Sequence, residues 1–343
     1  MKKVFWETQP LNSVEQEKKE KEKINLPKGF EFKTFDVEKD IDELFKLIAE
    51  NYVEDPSSRY KIFYSKDFLA WNIKQAKEKE FALKLEYKGE MVAFVLAVDH
   101  LIFQKKLDKK TEIVGINFLC IEKRFRKKGL APVIIRKITE ICNSKGIYSS
   151  IFTAGTKLPK IYKSASYYHS TFQKEGLVID DNPRKGTRKA EKKDIPQILE
   201  LYNEKCEGLE LFEILTEERI EKRFFCENCP LKIFVHEING KIEEFVSFYN
   251  IYNEDTYLKQ QEFSNYIYLY HSESSNIIND AKKIFNKEIG VSNSITCLEI
   301  MGIDKMIEKS EFHFAKGTGR LNYYLFNLEN VEIDLDKMGF ILF

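Results

Sequence analysis

No sign of charge dominates this sequence. Its 343 residues carry 55 Lys and Arg against 55 Asp and Glu, a formal net charge of zero. Bulk charge therefore gives no support to a general role on nucleic acid or an acidic surface, and any cationic site must be local. Long apolar runs are missing too. The opening MKKVFWETQP has two lysines but no hydrophobic stretch behind them, so no signal peptide is expected, and no run is long enough to span a membrane. The expected location is cytoplasmic, without stable membrane insertion. Cysteine is scarce, and the six (Cys120, Cys142, Cys206, Cys226, Cys229, Cys297) are expected to be reduced there. Cys226-Glu-Asn-Cys229 is a lone CxxC with no second pair at zinc spacing, so loop cysteines are its plain reading and no metal is expected. What is present is a globular composition, 43% hydrophobic and 32% charged. The length allows one large domain or two smaller ones.

Residues 11–25 are polar, with EQEKKEKEK among them. They read as a solvated arm or frayed helix ahead of a structured chain starting near Leu26-Pro27. An internal echo follows. EKDIDELFKLI (38–48) and KKDIPQILELY (192–202) both set Asp before apolar residues at helical spacing. Asp40 with Glu43, and Asp194 with Gln197, have capping-box spacing, and Pro196 suits a first helical turn. LEYKGEMVAFV (85–95) and HEINGKIEEFV (236–246) each read strand, tight turn at Gly89 or Gly240, strand. The same elements in the same order predict two similar α+β halves, joined by the basic stretch RKGTRKAEKK (184–193).

Between the echoes, EIVGINFLCI (112–121) reads as a buried strand, and LAPVIIRKITEICNSKG from Leu130 as a helix ended near Gly146. Arg126-Lys127-Lys128-Gly129-Leu130-Ala131 lies between them. A glycine there lets the backbone approach a ligand, helix-start N–H groups point outward, and basic side chains surround the spot. Such a place suits an anion, a pyrophosphate above all. Standing by itself, the loop reads first as a solvated cationic turn. R-x-x-G-x-A between strand and helix resembles the acyl-CoA loop of the N-acetyltransferase superfamily.

Further segments resemble the N-myristoyltransferases (glycylpeptide N-tetradecanoyltransferases) in the family's order. They are Phe5-Trp6-Glu7-Thr8-Gln9-Pro10; Glu50-Asn51-Tyr52-Val53-Glu54-Asp55 with Tyr64-Ser65 and Phe68-Leu69-Ala70-Trp71; INFLCIEKRFRKKGLAPVIIRKIT; Phe152-Thr153-Ala154-Gly155 with Leu158-Pro159-Lys160; and GTGRLNYYLFN (317–327). The apolar end Gly339-Phe340-Ile341-Leu342-Phe343 is also similar. The resemblance covers nearly the whole chain. It implies two halves, each like the N-acetyltransferase (GNAT) fold, related by a pseudo-two-fold axis. It implies an arm over 1–25, an acyl-CoA-binding half over 26–183 and a peptide-binding half over 184–343. Myristoyl-CoA would be the donor and a protein N-terminal glycine the acceptor, in a monomer without nucleic-acid partners.

The resemblance also assigns roles. The backbone N–H groups of Phe118 and Leu119 would stabilise the oxyanion, and Asn117 and Thr153 would hold the amine. The carboxylate of Phe343 would take the proton. An α-carboxyl has a reference pKa of roughly 3.5, and burial in the apolar end would raise it. Val4, Phe5 and Trp6 would cover CoA, residues 126–131 (Arg126, Lys127, Lys128, Gly129, Leu130, Ala131) would take its phosphates, and Leu119 and Ile121 would contact the pantetheine or acyl start. Asn51, Tyr52, Tyr60, His169, Tyr323 and Leu325 would line the peptide groove.

The chain departs from the family at Pro56-Ser57 and Thr318, where acidic residues are usual, so a preference for a basic residue after the glycine is not expected to carry over. Lys127 and Gly129 stand where the family often has Ser and Arg. Three other readings compete. A different GNAT-type acyltransferase would use a Glu or Tyr base. A non-catalytic acyl-CoA binder would have lost Asn117, Thr153 or the free terminus. A nucleic-acid module on residues 123–128 and 184–193 would bind with steep salt dependence.

Overall fold

The computed structural model describes residues 24–52, 60–155, 158, 163–173, 182–255, 260–289, 294–298, 301–303, 313–328 and 333–342. The expectations for Val4, Phe5, Trp6 and Phe343 fall outside the described residues, as do those for the side chains of Tyr60, His169 and Thr318.

The chain runs β1 (Phe30–Thr34), α1 (Val37–Asn51), β2 (Tyr60–Phe63), α2 (Lys66–Gln75), β3 (Ala82–Tyr87), β4 (Glu90–Gln104), β5 (Lys109–Ile121), α3 (Leu130–Ser144), β6 (Ser150–Ala154) and β7 (Lys163–Gln173). It then repeats the theme with β8 (Thr187–Lys189), α4 (Ile195–Cys206), β9 (Leu211–Glu213), α5 (Glu217–Phe224), β10 (Leu231–Ile238), β11 (Lys241–Asp255), β12 (Gln260–His271), α6 (Asn276–Ile289), β13 (Ser294–Leu298), β14 (His313–Phe326) and a short β15 (Met338–Gly339).

The sheet order is β1-β3-β4-β5-β6-β14-β7-β13-β12-β11-β10-β8. It is a palindrome of element kinds. β1 and β8 pair with the hairpins β3–β4 and β10–β11; then come β5 and β12, each paired in parallel with the strand after its helix, β6 or β13. In the middle the halves exchange strands, so that β14 lies between β6 and β7 and β7 pairs with β13. One apolar core joins them, with Leu96 and Phe118 beside Phe248, Tyr323 and Leu342.

The echo holds at single hydrogen bonds. Both hairpin turns take two positive φ values, at Lys88-Gly89 and Asn239-Gly240, as a tight primed turn requires. Two residues past each turn glycine, the Met91 N–H donates to Glu43 Oε1 at 2.7 Å and the Ile242 N–H to Gln197 Oε1 at 2.9 Å. These are the side chains that spacing assigned to caps, and the expectation is corrected here. α1 starts a turn earlier, on Asp36, whose side chain accepts from the Glu38 N–H while Asp40 accepts from the Asp36 N–H at 2.8 Å. Ahead of α4, Glu191 and Asp194 form the reciprocal box. In both places the long Glu or Gln reaches the hairpin because a nearer acid already caps the helix.

Candidate active site

The pairing of β4 with β5 matches Phe94 to Cys120 and then Leu96 to Asn117. Phe118 and Leu119 therefore both stand opposite Val95, a β-bulge of one extra residue. Phe118 takes φ +51°, a conformation an aromatic residue holds only under constraint. The bulge tips backbone N–H groups out of the ladder, and that of Phe118 donates to the Tyr52 hydroxyl. Burial drives the Tyr52 phenol up to about 12, against the pull of that N–H. The rings of Tyr52 and Tyr64 lie 5.6 and 5.4 Å from Phe118, forming an aromatic wall at the bulge.

The second half carries a bulge at the matching place, without the positive φ that Phe118 takes. Val246 pairs with Tyr270 and Phe248 with Ile267, so Tyr268 and Leu269 face Ser247 alone. There the Leu269 N–H donates to Ser247 Oγ at 2.9 Å, and the hydroxyl donates back to the Leu269 carbonyl at 3.1 Å. That bulge is closed by the residue opposite it. Val95, at the matching position of the first half, has no hydroxyl with which to close the other.

After Ile121 a 3-10 turn over Lys123–Phe125 leads to α3. Lys127 at φ +60° and Gly129 at φ +78° bend the backbone, and nothing lies within 4 Å of where a Gly129 Cβ would be. Gly129 is the N-cap of α3, no side chain caps it, and its first turn has no acid. The helix-start N–H groups thus face a spot flanked by exposed Lys127 and Lys128, an arrangement that attracts phosphate. Arg126 is turned inward. Its Nε donates to the Ile121 carbonyl at 3.1 Å and its Nη2 to that of Asn51. Asn51, 5% exposed, accepts from the Lys123 N–H at 3.0 Å and donates to the Leu47 carbonyl at 2.9 Å. Arg126 and Asn51 thus fasten the loop to α1. Leu130 is buried; Ala131, Leu119 and Ile121 are half-buried. In the second half the matching connection, residues 272–275, has no basic residue, and Ser272 donates to Glu244 at 2.5 Å.

The parallel ladder of β5 and β6 ends at Ile116–Phe152. The next residues, Asn117 and Thr153, stand where it stops. Thr153 pairs with Tyr323 on β14, and the buried Tyr323 hydroxyl accepts from the Leu342 N–H at 3.2 Å. A row of polar groups thus crosses the sheet to the last described backbone amide. β15 pairs with β9, which pairs in turn with β4. Two glycines make room for this tail. A Cβ on Gly339 would fall 2.3 Å from Leu209 Cδ1, and one on Gly115 would fall 2.7 Å from Leu342 Cδ1. Phe340, Ile341 and Leu342 are buried. Tyr323 and Leu325 are buried as well, Leu325 opposite Ile151. Tyr60 pairs with Asp255 and His169 with Leu298 through the backbone.

Burial raises the thiols of Cys142, Cys206 and Cys229 to about 12, which leaves them protonated. Cys229 donates to the Arg223 carbonyl, and no group of three metal-ligating side chains forms among the described residues. Sequence reasoning missed Val95, Gly115, His100, Glu213 and Arg223. The Asp99-His100 pair inside the apolar run of β4 was the one visible signal.

Comparisons with known proteins bear on the whole chain. The model of the myristoyl-CoA:protein N-myristoyltransferase N-terminal domain matches residues 10–164, and that of the C-terminal domain matches 163–338. The probable glycylpeptide N-tetradecanoyltransferase of Caenorhabditis elegans is 28% identical, over 98% of this chain and 85% of that protein. A crystal structure of Saccharomyces cerevisiae N-myristoyltransferase with bound myristoyl-CoA is 25% identical, with a TM-score of 0.82 over 98% of this chain and 92% of that one. A GCN5-related N-acetyltransferase from Anabaena variabilis shares the fold alone, at 12% identity and a TM-score of 0.53, over 86% of this chain and 72% of that chain.

Proposed function

The chain belongs to the myristoyl-CoA:protein N-myristoyltransferase family and is a protein N-myristoyltransferase; on that premise we propose how its residues carry the transfer. The acyl group moves from the thioester of myristoyl-CoA to the amine of an N-terminal glycine. The Phe343 carboxylate takes a proton from the glycine ammonium, and Asn117 and Thr153 hold the resulting amine. The amine nitrogen attacks the thioester carbonyl carbon, and the oxygen gains negative charge. The N–H groups of Phe118 and Leu119, tipped out by the bulge, stabilise that oxyanion. Collapse breaks the C–S bond, and the second amine proton passes to the departing CoA thiolate, leaving the amide and CoA thiol.

The observation that carries this reading is the contrast between the two bulges. Ser247 takes the N–H of Leu269 in one, and Val95 offers no hydroxyl to the matching N–H of Leu119 in the other. An oxyanion hole needs donors aimed at the reacting atom before it arrives. The basic, uncapped start of α3 follows the strand that carries the Phe118-Leu119 bulge, so phosphates and thioester would share one half. Residues 26–183 are therefore taken as the acyl-CoA half and 184–343 as the peptide half. Phe5 and Trp6 would close over CoA, and Tyr52, Tyr60 and His169 would line the groove. The enzyme works as a cytoplasmic monomer without nucleic acid. No helix among the described residues is long and apolar enough to cross a membrane.

The test is transfer from myristoyl-CoA to a glycine-start peptide, beside an alanine-start peptide and a chain lacking Phe343. Transfer to the glycine peptide alone, greatly slowed by the truncation, is expected. Binding of myristoyl-CoA without transfer would make the protein a lipid carrier. Transfer untouched by truncation would remove Phe343 from the chemistry.

A further inference from the structure

His100 lies on β4 with its side chain 7% exposed. Its Nδ1 is 2.7 Å from Glu213 Oε1. Glu213 is clamped in turn by Arg223, whose Nη1 reaches Oε2 at 2.7 Å and whose Nη2 reaches Oε1 at 2.9 Å. Arg223, 1% exposed, also donates to the Tyr268 hydroxyl at 2.6 Å. A carboxylate held by a guanidinium is an acceptor, so the proton on His100 sits on Nδ1 and the lone pair on Nε2. Burial favours the neutral ring, against the Glu213 carboxylate and with help from Arg223 and Arg219. Nε2 points away from the ion pair, over Gly115, where it lies 3.0 Å from the position of a Cβ and Leu342 Cδ1 lies 2.7 Å from it. The ring meets Phe340 edge-on at 4.9 Å.

None of the groups in the transfer chemistry is His100, yet this is the ring against which the tail packs. A carboxylate at the end of a chain has one covalent neighbour only. Its position depends on how the preceding residues are held. Here β9 carries Glu213 and also pairs with both β4 and β15. The strand that fixes His100 is therefore the strand that leads the tail in. We propose that His100 is a positioning residue for the chain terminus: pinned by Glu213, its ring fixes Phe340 and Leu342 over Gly115 and so sets where the Phe343 carboxylate stands. The proposal deepens the terminal-base reading and depends on it.

The test is a mutant cycle. Steady-state kinetics are measured for the full chain, His100→Ala, His100→Gln, a chain lacking Phe343, and His100→Ala in that shortened chain. His100→Ala is expected to lower kcat by about 10- to 100-fold, as a displacement of about 1 Å does, with KM for myristoyl-CoA within about twofold. His100→Gln keeps a donor for Glu213 and recovers part of the loss. In the shortened chain His100→Ala costs nothing further, because the group it positions is gone. An equal fold-loss in both backgrounds, or unchanged kcat in the full chain, overturns the proposal. If the shortened chain is fully active, the terminal-base reading falls and takes the proposal with it. A slowed shortened chain beside a harmless His100→Ala defeats the proposal alone.

Discussion

The Leu269 N–H is bound to Ser247 Oγ at 2.9 Å, and that bond closes the bulge in one half, whereas the residue facing the counterpart bulge is a valine with no hydroxyl. Val95 stands where Ser247 does, opposite Phe118 and Leu119. Val95→Ser is expected to close the first bulge and lower kcat by roughly 100- to 1,000-fold, the range for losing one oxyanion donor. KM for myristoyl-CoA should change little. Ser247→Ala should do the reverse, destabilising the fold by about 1–3 kcal/mol through an unpaired buried N–H while leaving kcat intact. Kinetics and melting curves of the two variants separate these outcomes; equal activity of Val95→Ser and wild type contradicts the first.

The start of α3 makes a separate prediction. Lys127→Ala with Lys128→Ala should weaken CoA binding by about 1–2 kcal/mol at low ionic strength and flatten its salt dependence. Binding of CoA measured by calorimetry across a salt series reads both. Arg126→Ala should instead loosen the loop from α1, because its guanidinium holds the carbonyls of Ile121 and Asn51.

The tail is held by one side-chain bond at its last described amide. Tyr323→Phe removes the acceptor for the Leu342 N–H without changing the ring. An unpaired buried N–H costs about 1–3 kcal/mol, so kcat should fall roughly tenfold while CoA binding stays as it was. A variant with normal turnover would mean that the bond has no part in placing the terminus.

Stability should depend on pH through the buried pair. Burial holds His100 below its ordinary value of 6.5. Burial opposes the ionisation of Glu213, but Arg223 and His100 together hold its carboxyl well below its ordinary 4.5. Both groups bind protons more readily when unfolded. The stability from His100 is thus present above about pH 6.5 and lost as pH falls through its lower folded value, and that from Glu213 is lost in more acid solution. Melting temperature should begin to fall below pH 6.5, and His100→Phe should remove that first stage. Parallel curves for the two proteins would contradict the assignment.

Much of this was legible in the sequence. The capped helices and turn glycines repeat at fixed offsets because they depend on local chemistry. That is why the halves and the α3 start could be read directly. The caps were misplaced because Asp36 and Glu191 lie close enough to compete with the expected residues, and spacing cannot rank them. The bulge was hidden, since a positive φ at Phe118 leaves no mark on an apolar run. Tertiary pairs were hidden as well. His100 and Glu213 are 113 residues apart, and only the strand β9 between them and the tail brings them together.

One measurement tests the central claim most directly: kcat for myristoyl transfer to a glycine-start peptide by a chain with a single alanine added after Phe343. Every side chain stays in place, while the carboxylate moves by one residue, about 3.8 Å along the chain. A fall of about 100-fold or more in kcat, with myristoyl-CoA still bound as tightly, is predicted. Undiminished turnover would contradict the account and place the base elsewhere.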